Sequence, residues 1–142
     1  MTKIRILLAS LALLLFAGPL SAQGYVIVVN AANPINTLSK SRVNDLFLKR
    51  SVRWDDGTAA APVNLDRASA TRDLFSRAVH GKATSVVESH WQEQIFAGKE
   101  TPPPMYGSDA EVLAFVRTKP GAIGYVSAGA SLGADVKAVK IN

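Results

Sequence analysis

Strands alternating with helices along one short chain predict an α/β fold, and three sets of segments carry that reading. Tyr25 to Val29 is a continuous apolar, β-branched run of the kind buried on both faces of a sheet. Two Ser-x-x-Glu boxes, Ser85 to Glu88 and Ser108 to Glu111, each open an apolar pattern of helical period. Ala122 to Val126 and Val136 to Ile141 read as strands that follow the helices, so the sheet is expected to be largely parallel.

The elements follow in order. After the first strand, Asn30 to Asn36 contains Pro34 and reads as loop. Ser39 is a suitable N-cap for a short helix reaching about Phe47, with Val43, Leu46 and Phe47 on one face. Asp55-Asp56-Gly57 is a turn, and Pro62 to Leu65 is a second strand. A helix from about Ser69 to Val79 is expected to bury Leu74, Phe75, Ala78 and Val79 and to stop at Gly81. The next helix, opened by Ser85 and Glu88, places Val87, Trp91 and Ile95 toward the core at i, i+4 and i+8, before Gly98. Thr101-Pro-Pro-Pro104 can be neither helix nor interior strand and forms a rigid extended connector. The helix opened by Ser108 and Glu111 runs through Val112, Val116 and Arg117 until Pro120-Gly121 ends it.

The first 22 residues have the pattern of an export signal. Lys3 and Arg5 form a basic start, Ile6 to Ala17 is apolar, Gly18-Pro19 breaks the run, and Leu20-Ser21-Ala22 suits a signal peptidase. The apolar run is shorter than the ~20 residues that span a bilayer, so a cleaved signal fits better than a stable membrane anchor. The expected product is a periplasmic or secreted domain of residues 23–142, large enough for one core. The chain has no cysteine, which excludes lipidation after the signal and any disulfide. Removing Lys3 and Arg5 with the signal lowers the formal charge from +5 to +3. The remaining basic residues are dispersed and carry no interleaved aromatics, so nucleic acid is not expected as a partner, while small anions are mildly favoured.

Arg67 to Phe75 concentrates anion chemistry. Ser69, Thr71, Arg67 and Arg72 lie where a strand gives way to a helix, and a helix start offers unpaired N–H groups and the positive end of the dipole. Ser69 and Thr71 with one of the arginines can converge there on an oxyanion. Taken alone, these residues favour the simpler reading, Ser69 as an N-cap with both arginines solvated.

Ile27-Val-Val-Asn30, Leu38-Ser39 with Val43 and Leu46-Phe47-Leu48, Trp54-Asp55-Asp56, Ser69-Ala70-Thr71 followed by Phe75, and Pro120-Gly-Ala-Ile-Gly-Tyr125 occur in that order. The series resembles the periplasmic phosphate-binding proteins of ABC transporters, and more closely the short phosphate-binding-protein-like domains of small secreted bacterial proteins. The resemblance spans about Tyr25 to Val126. It implies a compact type II periplasmic-binding-protein fold lacking much of the first lobe, and phosphate or a similar oxyanion as ligand. ABC transporter membrane components or an envelope protein are the implied partners, and no cofactor is implied. In the family an arginine and a Gly-Ser-Gly-Thr loop bind phosphate; Ser69 and Thr71 match the serine and threonine. Ala68 and Ala70 replace the glycines, and Leu65 stands at the arginine's position. Arg67 or Arg72 would therefore have to act from a different backbone position. A module that keeps the fold without a complete ligand site is the alternative.

Other chemistries find little support. His80 and His90 are ten residues apart, a spacing unlike a zinc helix, and solvated or capping roles are expected rather than a metal site. Asp55-Asp56-Gly57 lacks the further oxygens of a calcium loop. Trp54 and Trp91 are expected in the core. No cysteine nucleophile, Gly-x-Ser-x-Gly elbow or carboxylate pair suggests catalysis, so no enzyme activity is expected.

Overall fold

The computed structural model describes residues 24–142. The expected signal peptide, residues 1–22, and the cleavage point after Ala22 lie outside the described residues. Seven strands and four helices follow in sequence: β1 (Tyr25–Asn30), β2 (Thr37–Leu38), α1 (Lys40–Phe47), β3 (Ala61–Pro62), β4 (Asn64–Leu65), α2 (Ala70–Phe75), α3 (Thr84–Phe96), β5 (Met105–Tyr106), α4 (Asp109–Thr118), β6 (Ala122–Ser127) and β7 (Val136–Ile141). A π-helical turn, Ser76–His80, prolongs α2 until Gly81, which stops it in a left-handed conformation at φ 67°.

Five strands form one sheet in the order β2-β7-β1-β6-β3, and β4 pairs with β5 in a separate two-stranded sheet. The apolar run of β1 is central, as its composition predicts. Its partners, however, run against it: Val28 stands opposite Gly124 of β6, and Val29 opposite Lys137 of β7, in antiparallel register. Only the short pairs β2–β7, β3–β6 and β4–β5 are parallel. The expectation of a largely parallel sheet is thus corrected to a mixed one. Alternation of strands and helices fixes the α/β class, but β1 meets β6 and β7 only after the whole helical middle of the chain, and a connection that long can return in either direction.

The core is built where the helices meet β1 and β6. Val112, Leu113 and Val116 of α4 are buried, each contributing about 1.5 to 3 kcal/mol on removal from water. Gly124 permits that approach, because a Cβ there would lie 2.8 Å from Val112 Cγ1 and 2.9 Å from Val63 Cγ1. From α1 come Val43, Leu46 and Phe47. Phe47 lies 4.8 Å from Phe75, whose ring stacks on Tyr125 at 3.9 Å and 8°. Trp54 is buried and donates its indole N–H to the Gly121 carbonyl at 2.8 Å.

Several helix expectations hold in part. Ser39 caps α1 and Ser108 caps α4, each hydroxyl accepting the N–H three residues on. Glu111 turns back one residue further than the box requires, to the Gly107 N–H at 2.9 Å. Leu74 and Ile95 are exposed rather than buried. Leu74 lies between two inward positions, Arg72 and Phe75, and the stripe on α3 ends at Trp91, one turn before the helix leaves the protein. The Ser85–Glu88 box does not form: α3 begins at Thr84 after Ala83, which makes no side-chain cap. Asp73 replaces it, accepting from both the N–H and the hydroxyl of Thr84 at 3.1 and 3.2 Å.

Candidate functional site

The strand end that leads into α2 is fixed from beneath by a tyrosine. The Tyr125 hydroxyl donates to Asn64 Oδ1 at 2.9 Å and accepts from the Leu65 N–H at 3.2 Å. Burial pushes the Tyr125 phenol well above its ordinary range, so it stays a neutral donor. Past Leu65 the chain turns, with the Ser69 N–H donating to the Asp66 carbonyl at 2.9 Å. Ser69 then takes extended geometry, φ −70° and ψ 127°, and its hydroxyl accepts the Arg72 N–H at 3.2 Å. Ser69 is therefore the N-cap of α2.

The four residues expected to bind a ligand have different surroundings. Thr71 is half-buried, and its hydroxyl makes no hydrogen bond among the described residues. Since no buried side-chain polar atom among them lacks a partner, that hydroxyl meets solvent. Arg67 is exposed and borders a groove of about 280 Å³ with Thr84, Ser85, Glu88, Ser89 and Gln92. Arg72 is enclosed: its side chain is 3% exposed and its guanidinium donates to the Leu65 carbonyl at 3.3 Å, Met105 Sδ at 2.9 Å and Glu88 Oε1 at 2.5 Å. Arg72 thus ties β4, β5 and α3 together directly behind the α2 start. It is not solvated, and its charge is matched by Glu88, which the sequence presents only as part of a helix cap.

Sequence reasoning also missed the surroundings of His80. Its ring is mostly enclosed, stands edge-on to Phe75 at 5.4 Å, and hydrogen-bonds through Nδ1 to Asn44 Oδ1 at 2.7 Å. Burial, then the charges of Arg72, Lys82, Arg50 and His90, lower its pKa from 6.5 to about 4. The expected solvated or capping role is corrected accordingly; no feature of sequence spacing joins His80 to Asn44, which lies on a different helix. His90 sits edge-on to Trp91 at 5.1 Å. Among the described residues no group of three or more His, Asp or Glu side chains could hold a metal ion. Asp55-Asp56-Gly57 is the expected turn, with the Thr58 N–H donating to Asp56 Oδ1 at 2.9 Å and Arg42 pairing with Asp55 at 3.2 Å. No helix among the described residues is long and apolar enough to cross a membrane.

No family model matches the chain, and no curated protein matches it in sequence. Solved structures do. A protein assigned as a phosphate ABC transporter substrate-binding protein from Clostridium perfringens, solved with bound phosphate, superposes with a TM-score of 0.65 at 20% identity over 83% of this chain and 44% of its own. An ABC-type phosphate transport receptor from Vibrio cholerae gives 0.66 at 20% identity over 83% and 46%. A proposed phosphate binding protein from Planctomyces limnophilus gives 0.64 at 21% over 84% and 41%. The chain therefore has the fold of phosphate-type periplasmic binding proteins, as the resemblance implied, and spans less than half the length of each. These neighbours are described as binding proteins or receptors, not as enzymes.

Proposed function

We propose that this chain is an exported solute-binding domain for phosphate or a similar oxyanion, held at the start of α2. The observation that carries the reading is the Ser69-Ala70-Thr71 segment: a capped helix start on a tyrosine-pinned strand end, with the Thr71 hydroxyl open to solvent and Arg67 exposed two residues before the cap. In this reading Ser69 shapes the turn, and the Thr71 hydroxyl with the first-turn N–H groups of Ala70 and Thr71 donates to the anion. Arg67 supplies a mobile countercharge, while Arg72 acts from behind the loop by fixing the Leu65 carbonyl and adding its field. That the fold is shared with a protein solved with bound phosphate supports this choice of ligand class. Delivery to ABC transporter membrane components is part of the same proposal.

A second reading, an interaction module for an envelope protein, draws on the occupied donors of Arg72 and on Phe96, which is 97% exposed at the end of α3. Calorimetric titration of residues 23–142 with phosphate and with sulfate separates the two. Saturable binding, micromolar or about −8 kcal/mol, with a loss of about 1 to 3 kcal/mol in Thr71→Ala and an unchanged ligand-free melting temperature, supports the oxyanion reading. No saturable heat with either anion overturns it.

A further inference from the structure

Away from α2's start, the C-terminal end of α1, the π-helical turn and the first turns of α3 enclose a cleft of about 90 Å³. It is lined by Asn44, Leu48, Arg50, His80, Lys82, Val86, Val87 and His90. Every ionisable side chain in that lining is basic, and none is a carboxylate. Two carboxylates stand nearby, and neither lines the cleft. Asp45 lies 4.0 Å from Arg50 in an exposed pair, and Glu88 is held by Arg72. Arg50 and Lys82 bring two exposed cations to the rim, and the two imidazoles stand with them over a floor of Leu48, Val86 and Val87. The fold sets this arrangement. Gly81 turns the chain in its left-handed conformation, the Ser76 hydroxyl donates to the Lys82 carbonyl at 2.6 Å, and His80 is oriented by Asn44.

We propose that this cleft is a second, independent site for a small oxyanion, with Arg50, Lys82 and the His80 and His90 imidazoles as its ligands. Its volume, below the ~150 Å³ of a cavity that admits benzene, limits the ligand to a single anionic group of a few heavy atoms: phosphate, sulfate or a short carboxylate. With Asn44 Oδ1 accepting, His80 Nδ1 carries the hydrogen and Nε2 is the nitrogen that takes up a proton. The charges facing His80 are Arg72, with its partner Glu88, from α2; Arg50, with Asp45, from the end of α1; Lys82 from the turn; and His90 from α3. A bound anion offsets that positive field and makes protonation of His80 easier.

The chain has two histidines, both in this cleft, so their imidazole NMR signals report its occupancy directly. Labelled residues 23–142 are titrated with phosphate, sulfate and acetate against sodium chloride of equal ionic strength. The expected result is a saturable shift of both histidine signals with at least one oxyanion, and a rise of the His80 pKa from about 4 toward 6.5 when it is bound. Lys82→Gln and Arg50→Gln, both at exposed positions, each weaken that response about fivefold. Thr71→Ala leaves it unchanged, which separates this site from the one at α2. Shifts no larger than those given by chloride overturn the proposal, and so does a histidine response abolished by Thr71→Ala.

Discussion

Acid should weaken this protein through His80 from about pH 6.5 downward. In the unfolded chain the imidazole takes up a proton near pH 6.5; in the native chain burial and the surrounding cations delay this to about pH 4. Between those values the unfolded state binds more protons, so stability falls as pH falls. The His80 contribution is fully present above about pH 6.5, is lost progressively down to about pH 4, and changes no further below that. At about 1.4 kcal/mol per pH unit, the gap corresponds to about 3 kcal/mol. The assay is urea unfolding of the wild type and His80→Gln at intervals from pH 7 to 4.5, in buffer free of phosphate, sulfate and acetate. The variant is expected to be less stable at pH 7, having lost the ring's packing on Phe75, but nearly flat across the window in which the wild type declines. Asp73 and Asp56, whose carboxyls are held below their ordinary 3.8 mainly by Arg77 and by Thr58 respectively, add their own losses only at lower pH. Parallel profiles for the two proteins would refute the assignment, as would an NMR titration of His80 centred near 6.5.

Further outcomes follow from the packing. Glu88→Gln leaves the enclosed Arg72 guanidinium without its countercharge and should cost about 2 to 4 kcal/mol, somewhat below a fully buried pair because Glu88 retains solvent contact; denaturant midpoints check this. Trp91→Ala should cost about 3 to 5 kcal/mol, whereas Ile95→Ala, one turn later and exposed, should stay within about 0.5 kcal/mol, which calorimetric melting distinguishes. Gly124→Ala forces a methyl against Val112 and Val63 and should cost about 1 to 3 kcal/mol; an unchanged melting temperature would mean that α4 can move off the sheet.

What was legible in the sequence was local. The caps at Ser39, Ser69 and Ser108, the turn at Asp56 and the apolar run of β1 depend on neighbours within a few residues, and the structure contains them. Strand direction was not legible, because β1 pairs with residues about a hundred positions away. Arg72 and Glu88 explain the rest. An arginine in the first turn of a helix reads as solvated, and a glutamate three residues after a serine reads as a capping partner. Only the crossing of α2 and α3 brings the two charges together, and Asp73 then takes over the cap that Glu88 leaves. At the candidate site, the hydroxyls and basic residues could be named from their order along the chain. Which cation is enclosed and which is free is set by tertiary packing alone.

The antiparallel centre of the sheet also dictates when this protein can become one. Its first strand has no neighbour until residues 122–127 exist, and its second neighbour is complete only at Ile141. A chain made or threaded across a membrane from its N-terminus therefore carries Tyr25–Asn30 as a bare apolar edge throughout that passage. The pairings that close the sheet around β1 span about a hundred residues, the kind of contact that slows folding and leaves a nascent strand exposed to wrong partners. Such wiring favours a chain that is kept unfolded by chaperones and released whole, with folding delayed until its C-terminal strand arrives.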